Sequence, residues 1–208
     1  MRRIALISCL VLLGFSTPRA MATPSDAKQL VQSTADQVLA RVRTERETLR
    51  VDRARLYGLV NELIIPHFDF RRISRWVLGK HWRGATPEQK QRFTEEFQKL
   101  LTRTYATVLL EYVDQEIRYL PVKAAPSADK VTVRSEITRP GAGVPIPVNY
   151  HMHSKDDAWK VYDISVDGVS LLSTYRSSFG PEVRKYGLDG LISRLEAKEV
   201  TNMPATPQ

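Results

Sequence analysis

Residues 159–179 read WKVYDISVDGVSLLSTYRSSF, and the hydrophobic pattern of this stretch changes halfway along it. As far as Val166, apolar residues fall on both sides of an extended chain, because side chains alternate along a strand. This pattern predicts a central strand with two buried faces. After the turn at Asp167-Gly168 the apolar spacing becomes helical, with Ser170 as the N-cap. The residues on the apolar side of that helix are Leu171, Leu172, Tyr175 and Phe179.

The N-terminus has the features of a secretory signal peptide. Two arginines precede an apolar run over residues 4–15, and a small-residue cleavage pattern, Ala20-Met21-Ala22, follows it. We therefore expect residues 1–22 to be a signal peptide that is cleaved near Ala22. The weaker alternatives are a membrane anchor, for which the apolar run is too short, and a lipoprotein site at Cys9, which leaves too little of that run before it.

Cleavage at this position would leave a basic chain without cysteine. The loss of Arg2, Arg3 and Arg19 lowers the formal charge from +8 to +5, and Cys9 is the single cysteine of the chain. An exported protein of this kind must be stable without disulfides. Its charge suits anionic lipid head groups or acidic protein surfaces, whereas export argues against nucleic acid as a partner.

Helical spacing dominates the first half of the mature chain, and it predicts helices over residues 25–47, 52–65 and 69–79. The clearest local signal is the capping box Thr86-Pro87-Glu88-Gln89, which has proline at the first helical position. Apolar spacing continues to about Asp114, which predicts a helix of roughly 40 Å at about 1.5 Å per residue.

Several cations cluster on and after the short helix at residues 69–79. Such a cluster is usually a solvated surface, and the functional alternative is an electropositive rim for phosphate head groups or for a partner. Its members are Arg71, Arg72, Arg75, Lys80 and Arg83.

In the second half the hydrophobic period changes from about 3.6 to about 2. Strands are predicted at residues 116–123, 130–139, 144–154 and 159–166, and further helical pieces at 181–186 and 188–195. Helices followed by an antiparallel meander define an α+β fold, in which a twisted sheet packs against the long helix.

The expected organisation is therefore one α+β domain over residues 23–200. Its helical part lies at about 25–115, its sheet at about 116–167 and its C-terminal helices at about 170–198. Residues 201–208 are polar and contain proline, which predicts a disordered tail.

A search for catalytic and metal-binding patterns returns little. The sequence has no GxSxG, HExxH, GxGxxG or P-loop motif. His151 and His153 would share a strand face, but two ligands do not make a metal site. Asp163 and Asp167 could form a catalytic pair, although residues so placed more often cap the next helix or pair with an arginine such as Arg176. We expect no enzyme, no cofactor and no metal.

The remaining signal is an excess of large apolar residues at regular spacing. The simplest interpretation is an ordinary core. A sheet that curls around helices can also enclose a cavity, which would suit a carrier of apolar ligands.

Several short segments go beyond these patterns, because together they resemble the MlaC family of periplasmic phospholipid-binding proteins, also called the toluene-tolerance family. The resemblance covers nearly all of the mature chain, in order. The segments are FDF at 68–70, VLGKHWR at 77–83, QKQRF at 89–93, TYA at 104–106, WKVYDI at 159–164, DGVSL at 167–171, YRSSF at 175–179 and GLDGLI at 187–192.

The resemblance implies an NTF2-like sheet and helices that enclose a hydrophobic pocket for the acyl chains of a phospholipid, with the head group outside. It also implies a shuttle in the periplasm between an outer-membrane lipoprotein and porin complex and an inner-membrane ABC transporter with its substrate-binding subunit, which helps to maintain outer-membrane lipid asymmetry. Some members are associated with hopanoids, so the lipid class stays open.

We expect the pocket to be lined by large apolar and aromatic residues from the long helix, the sheet and the helix after Ser170. A hydrolase that uses Asp163 and Asp167, and a docking scaffold with a packed interior, are the competing hypotheses. The predicted lipid-binding residues are Trp76, Phe97, Leu101, Tyr105, Leu109, Val133, Tyr150, Trp159, Val161, Ile164, Leu171, Leu172 and Tyr175.

Overall fold

The protein is described by a computed structural model over residues 23–138, 141 and 144–197. The predicted signal peptide and the predicted tail therefore lie outside the described residues. The helices are α1 (Pro24–Val51), α2 (Arg53–Leu63), α3 (Phe70–Leu78), α4 (Lys80–Gly84), α5 (Pro87–Tyr105), α6 (Val108–Tyr112) and α7 (Leu171–Glu196), with a 3-10 helix over Ile65–His67. The strands are β1 (Glu116–Tyr119), β2 (Lys130–Thr138), β3 (Ile146–Lys155), β4 (Ala158–Val166) and β5 (Val169–Ser170).

The five strands form one antiparallel sheet in the order β1-β2-β3-β4-β5. In its centre Val133 pairs with Tyr150, which in turn pairs with Ile164. The register shifts between His151 and Met152, so that Tyr162 is an extra residue on β4. Helices followed by an antiparallel meander confirm the predicted α+β class.

Side-chain caps start several helices where the sequence indicates. Thr86 accepts a hydrogen bond from the backbone N–H of Gln89 at 3.1 Å, and the Gln89 amide oxygen accepts one from the Thr86 N–H at 3.0 Å, so the predicted capping box is present. Helix α1 begins earlier than predicted, after Thr23, and continues to Val51 because the N–H of Thr23 donates to Asp26 at 2.7 Å and the apolar spacing persists to Leu49.

The predicted helix from Thr86 to Asp114 is wrong in its length. Helix α5 has 19 residues, about 28 Å, and ends at Tyr105. Beyond it the N–H of Leu109 donates to the Ala106 carbonyl, and the N–H of Leu110 donates to the Thr107 carbonyl. Each of these hydrogen bonds spans three residues, as in a 3-10 helix. The turn allows the residues before it and the residues after it to pack against different parts of the interior.

The helical pieces predicted at 181–186 and 188–195 belong to α7, and the expected break before Pro181 is absent. Pro181 lies inside the helix on its exposed side, where water can satisfy the carbonyl group that proline leaves unpaired. The break that does occur is at Gly187, whose φ of 73° is accessible to glycine at little cost.

The buried apolar residues form three clusters. The α7 cluster contains Phe70, Ile73, Val77, Leu78, Trp82, Phe93, Phe97, Leu100, Leu172, Tyr175, Phe179, Val183, Leu191, Ile192 and Leu195. The α2 cluster contains Val38, Val42, Leu49, Leu56, Leu59, Val60, Ala106 and Val113. The sheet cluster contains Ala27, Val31, Val131, Val133, Met152, Trp159 and Val161.

These clusters are linked by Ile65, the first residue of the 3-10 helix, and by Phe68, which directly follows that helix. Ile65 packs against both the α7 cluster and the α2 cluster, and Phe68 packs against both the α7 cluster and the sheet cluster. Phe68 also forms an isolated bridge to Val161, and the N–H of Asp69 donates to the Val161 carbonyl at 3.0 Å.

Among the helices described, none combines the length and the apolar character needed to cross a membrane.

Candidate functional site

The inner face of the sheet, which we define as the face that packs against α1, is apolar. Ala27 and Val31 of α1 cover the sheet residues of the sheet cluster. The indole N–H of Trp159 donates to the Thr23 carbonyl at 2.7 Å, which holds the start of α1 against β4. Further apolar side chains pack against this layer but are only half-buried. They are Leu30, Phe68, Tyr119, Val122, Ala128, Tyr150 and Ile164.

A cavity of about 390 Å³ lies between α1 and the segment that leads into β1. Leu39 in its wall packs against the α2 cluster, whereas Tyr119 packs against the sheet cluster. The cavity therefore lies where these two clusters meet. Its volume falls within the range of about 300–1,000 Å³ that is common for ligand sites, but its exposed lining is more polar than that of a typical apolar cleft. The residues that line this cavity are Asp36, Leu39, Arg43, Gln115, Ile117 and Tyr119.

Two polar groups in the cavity wall have no hydrogen-bond partner among the described residues. They are the Tyr119 hydroxyl and the side-chain oxygen of Gln115, both of which are buried. Burial raises the pKa of the Tyr119 phenol, with smaller contributions from Tyr150 and Asp36, so the hydroxyl remains protonated at neutral pH and can donate. A buried polar group without a partner is costly, so these two groups make this part of the cavity wall polar.

The mouth of the cavity carries one acidic and one basic residue of α1. Asp36 and Arg43 are both exposed and lie two helical turns apart. Arg43 donates to the Val113 carbonyl at 2.9 Å, which connects α1 to the end of α6 and keeps the guanidinium at the mouth.

The predicted lipid-binding residues do not surround one space. Phe97, Leu101, Tyr105, Leu172 and Tyr175 are part of the α7 cluster or pack against it, and Leu109 packs against the α2 cluster. Leu171 is half-buried and belongs to none of the three clusters. The residues found at the inner face of the sheet are Val133, Tyr150, Trp159, Val161 and Ile164.

Trp76 lies outside the interior, with 47% of its surface exposed. Its spacing from Ile73 and Val77 indicated a shared apolar face. In the structure Ile73 and Val77 are buried, and Trp76 points outwards beneath the guanidinium of Arg176, whose central carbon lies 5.1 Å from the ring centroid. A three-residue pattern cannot distinguish the inner position from its neighbour on the edge of the same face.

Sequence reasoning missed the residues that line the cavity. Leu39 directly follows Val38, which the four-residue spacing of α1 did identify as apolar. Ile117 and Tyr119 alternate along β1, but a strand of four residues carries too short a pattern to show which face is buried.

The residues considered above as possible metal ligands or catalytic groups make contacts within the protein instead. His151 and His153 share a strand face, as predicted, but they contact Thr132 and Asp69 respectively. No group of three potential metal ligands occurs in the part of the chain that the structure describes. Asp163 accepts hydrogen bonds from the Ser170 hydroxyl at 2.6 Å and the Leu172 N–H at 3.2 Å, so it caps α7.

These features define an α+β protein whose sheet packs its apolar inner face against α1 and has a cavity beside its edge strand β1. The family model described as "MlaC protein" matches residues 32–197. The chain belongs to the MlaC family.

The relatives include the toluene tolerance protein ttg2D of Pseudomonas putida, which is 31% identical over 171 residues, 82% of this chain and 77% of that protein. The intermembrane phospholipid transport system binding protein MlaC of Haemophilus influenzae is 24% identical over 188 residues, 89% of this chain and 88% of that protein. A solved structure with the same fold is the phospholipid-binding protein of Ralstonia solanacearum in complex with a phospholipid. It is 32% identical, with a TM-score of 0.77, and the match covers 84% of this chain and 97% of that one.

Proposed function

We propose that this protein is a phospholipid carrier. In this proposal the acyl chains of the bound lipid lie against the half-buried apolar residues around the inner face of the sheet. The head group lies at the cavity mouth near Asp36 and Arg43. The observation that supports this most directly is the related structure from Ralstonia solanacearum, which contains a phospholipid and has the same fold at 32% identity. The apolar inner face and the cavity at its edge are suitable places for such a ligand.

The energetics explain why a carrier is needed. A diacyl phospholipid buries about 30 methylene groups at about 0.8 kcal/mol each, so its transfer into water costs roughly 25 kcal/mol. An apolar interior removes most of that cost. Because the bilayer offers the chains a similar environment, transfer between a membrane and the carrier is close to neutral and reversible.

The proposed location is the periplasm, after cleavage near Ala22. There the carrier would move lipid between an outer-membrane lipoprotein and porin complex and an inner-membrane ABC transporter with its substrate-binding subunit, which maintains outer-membrane asymmetry. The name of the Haemophilus influenzae relative, a binding protein of an intermembrane phospholipid transport system, supports this role. In this proposal the phospholipid is cargo, and the protein needs neither a catalytic group nor a cofactor.

The test is native mass spectrometry of the mature protein, from Thr23 onward, purified from a bacterial periplasm without detergent. We expect a mass excess that extracts into organic solvent as diacyl phospholipid and so identifies the head group. A hopanoid in the extract would change the lipid class but keep the carrier function. A lipid-free mass together with no uptake from added vesicles would refute the carrier and favour the docking scaffold.

A further inference from the structure

One exposed surface of the molecule carries cations from three helices and an exposed tryptophan. We call it the basic face. Residues 70–87, which include α3 and α4, contain no aspartate or glutamate, and the first acidic residue of α7 is Glu182. The basic face consists of Arg71, Arg75, Trp76, Lys80, Arg83, Arg176 and Arg184.

The six cations of the basic face form no ion pair with a carboxylate among the described residues. In contrast, many basic residues elsewhere do. For example, Arg46 contacts Asp114 at 2.8 Å, and Arg92 contacts Glu196 at 2.8 Å. The basic face is therefore available for an external anion, because none of the described acidic side chains forms an ion pair with it.

Contacts between the helices make the basic face continuous. The Arg176 guanidinium lies over the Trp76 ring and comes within 3.1 Å of the position that a Cβ would take at Gly79. This contact joins α7 to the end of α3. Gly79, with a φ of 54°, leads directly into Lys80 of α4.

His81 extends the same surface to a second part of α7. Burial lowers the pKa of His81, and the charges of Lys80 and Arg184 lower it further. Lys80 and His81 also border a shallow groove whose apolar wall contains Val183 and Leu188.

Trp76 gives the basic face an amphipathic element. It is one of the few large apolar side chains that are exposed in the described residues. Tryptophan is enriched at membrane–water interfaces, where its ring lies at the depth of the head groups. Guanidinium groups around it can form paired hydrogen bonds with phosphate oxygens.

We propose that the basic face binds the anionic surface of a phospholipid bilayer, with Trp76 at head-group depth. A leaflet presents mobile phosphates in no fixed register, and it can therefore neutralise cations that are spread over three helices. A folded acidic protein holds its carboxylates in fixed positions. The choice of a leaflet over a protein surface rests in part on the proposed function, because the complexes between which the carrier moves lipid lie in membranes.

The test is co-flotation of the lipid-loaded protein with vesicles in a density gradient. We expect flotation at low salt with vesicles of phosphatidylethanolamine and phosphatidylglycerol, release at high salt, and little flotation with phosphatidylcholine alone. The variant Arg71→Gln/Arg75→Gln should bind the anionic vesicles roughly 30-fold more weakly, at about tenfold for each 1.4 kcal/mol and about 1 kcal/mol per cation. Trp76→Ala should be released from the anionic vesicles at a lower salt concentration than the wild-type protein, because it lacks the apolar contribution to binding.

The matched control is Lys123→Gln/Lys130→Gln, which removes the same charge from exposed positions near the start of β2. It should bind within a few-fold of the wild-type protein. Equal losses in both double variants would overturn the proposal, because only net charge would then matter. Absence of flotation by the wild-type protein at low salt would also overturn it and leave an acidic protein surface as the partner.

The two proposals fail in different ways. Each preparation is analysed by native mass spectrometry before flotation, and its thermal unfolding midpoint is compared with that of the wild-type protein. A lipid-loaded, folded protein that does not float refutes the membrane-binding face and leaves the carrier intact. A lipid-free protein that floats but takes up no lipid from the vesicles refutes the carrier and leaves the membrane-binding face intact.

Discussion

The imidazole Nε2 of His153 lies 3.1 Å from Oδ2 of Asp69, and both side chains are buried. The ammonium group of Lys155 lies 3.3 Å from the same oxygen, and a guanidinium nitrogen of Arg72 lies 3.4 Å from the imidazole Nδ1. Arg72 also packs over the ring of Tyr162 at 4.8 Å. These contacts join the start of α3 to the outer face of the sheet, opposite the candidate site.

This arrangement predicts that stability falls on acidification. Burial lowers the pKa of His153, and Arg72 lowers it further, although Asp69 opposes both. An unfolded histidine binds a proton at roughly pH 6.5, whereas the folded protein resists protonation, so the unfolded state binds more protons and the free energy of unfolding decreases below that pH. The check is urea unfolding at about pH 7.5 and about pH 5.5, where His153→Gln should lose less stability than the wild-type protein.

Protonation of Asp69 should cause a second loss of folding stability at lower pH. Burial opposes ionisation, but the N–H of Arg72 and the charge of Lys155 hold the pKa of Asp69 below its usual value. This stabilisation is present at neutral pH and is lost as the pH falls through the folded-state pKa. If His153→Gln showed the same decrease as the wild-type protein between the two pH values, the imidazole would not be its source.

Asp163 is expected to stabilise α7. Its carboxylate accepts hydrogen bonds from Ser170 and from the N–H of Leu172, so Asp163→Ala should lower the free energy of unfolding by about 1–2 kcal/mol without loss of bound lipid. Chemical denaturation and lipid extraction measure the two effects. Asp167→Asn is the control, because Asp167 is exposed at a φ of 50° that asparagine tolerates. Stability unchanged in Asp163→Ala would contradict the capping role.

A larger side chain in the cavity wall should prevent lipid loading. Leu39→Trp fills part of the cavity of about 390 Å³, so we expect bound phospholipid to fall by roughly tenfold, or about 1.4 kcal/mol, with little change in the unfolding midpoint. The readout is phospholipid per protein after extraction. Leu188→Trp, in the groove between α4 and α7, is the matched control and should retain its lipid. Equal lipid content in both variants would place the ligand elsewhere.

Phe97 distinguishes the packed interior from a lipid pocket. It is fully buried and lies against Phe93, Tyr175 and Phe179, with ring centroids 5.0–5.5 Å apart. We therefore expect Phe97→Ala to lower the free energy of unfolding by about 3–5 kcal/mol while the folded fraction retains its lipid. Denaturation and lipid extraction are again the measurements. Loss of lipid at nearly unchanged stability would instead place Phe97 in the pocket, as its sequence pattern predicted.

The sequence was informative where the signal is local. The capping box at Thr86 depends on neighbouring residues alone, and the alternation of Val131 and Val133 shows directly which face of β2 is buried. The break after Tyr105 was not predictable in this way, because apolar spacing continues through it and Ala106 and Thr107 keep helical backbone angles. Likewise, periodicity identified Phe97 and Val133 as interior residues but could not assign them to different clusters.

The positions of Ile65 and Phe68 have a consequence for cooperativity. The α2 cluster and the sheet cluster share no packed residue among those described, and each is joined to the α7 cluster through one of these two side chains. A domain unfolds in a single transition only when its parts lose more by separating than by unfolding together. Helix α1 joins the α2 cluster to the sheet cluster along its length, but the side-chain coupling of these two clusters to the α7 cluster is concentrated in four consecutive residues at the 3-10 helix. Truncating either side chain would therefore broaden the thermal transition and make the calorimetric enthalpy exceed the van't Hoff enthalpy, in addition to lowering the melting temperature.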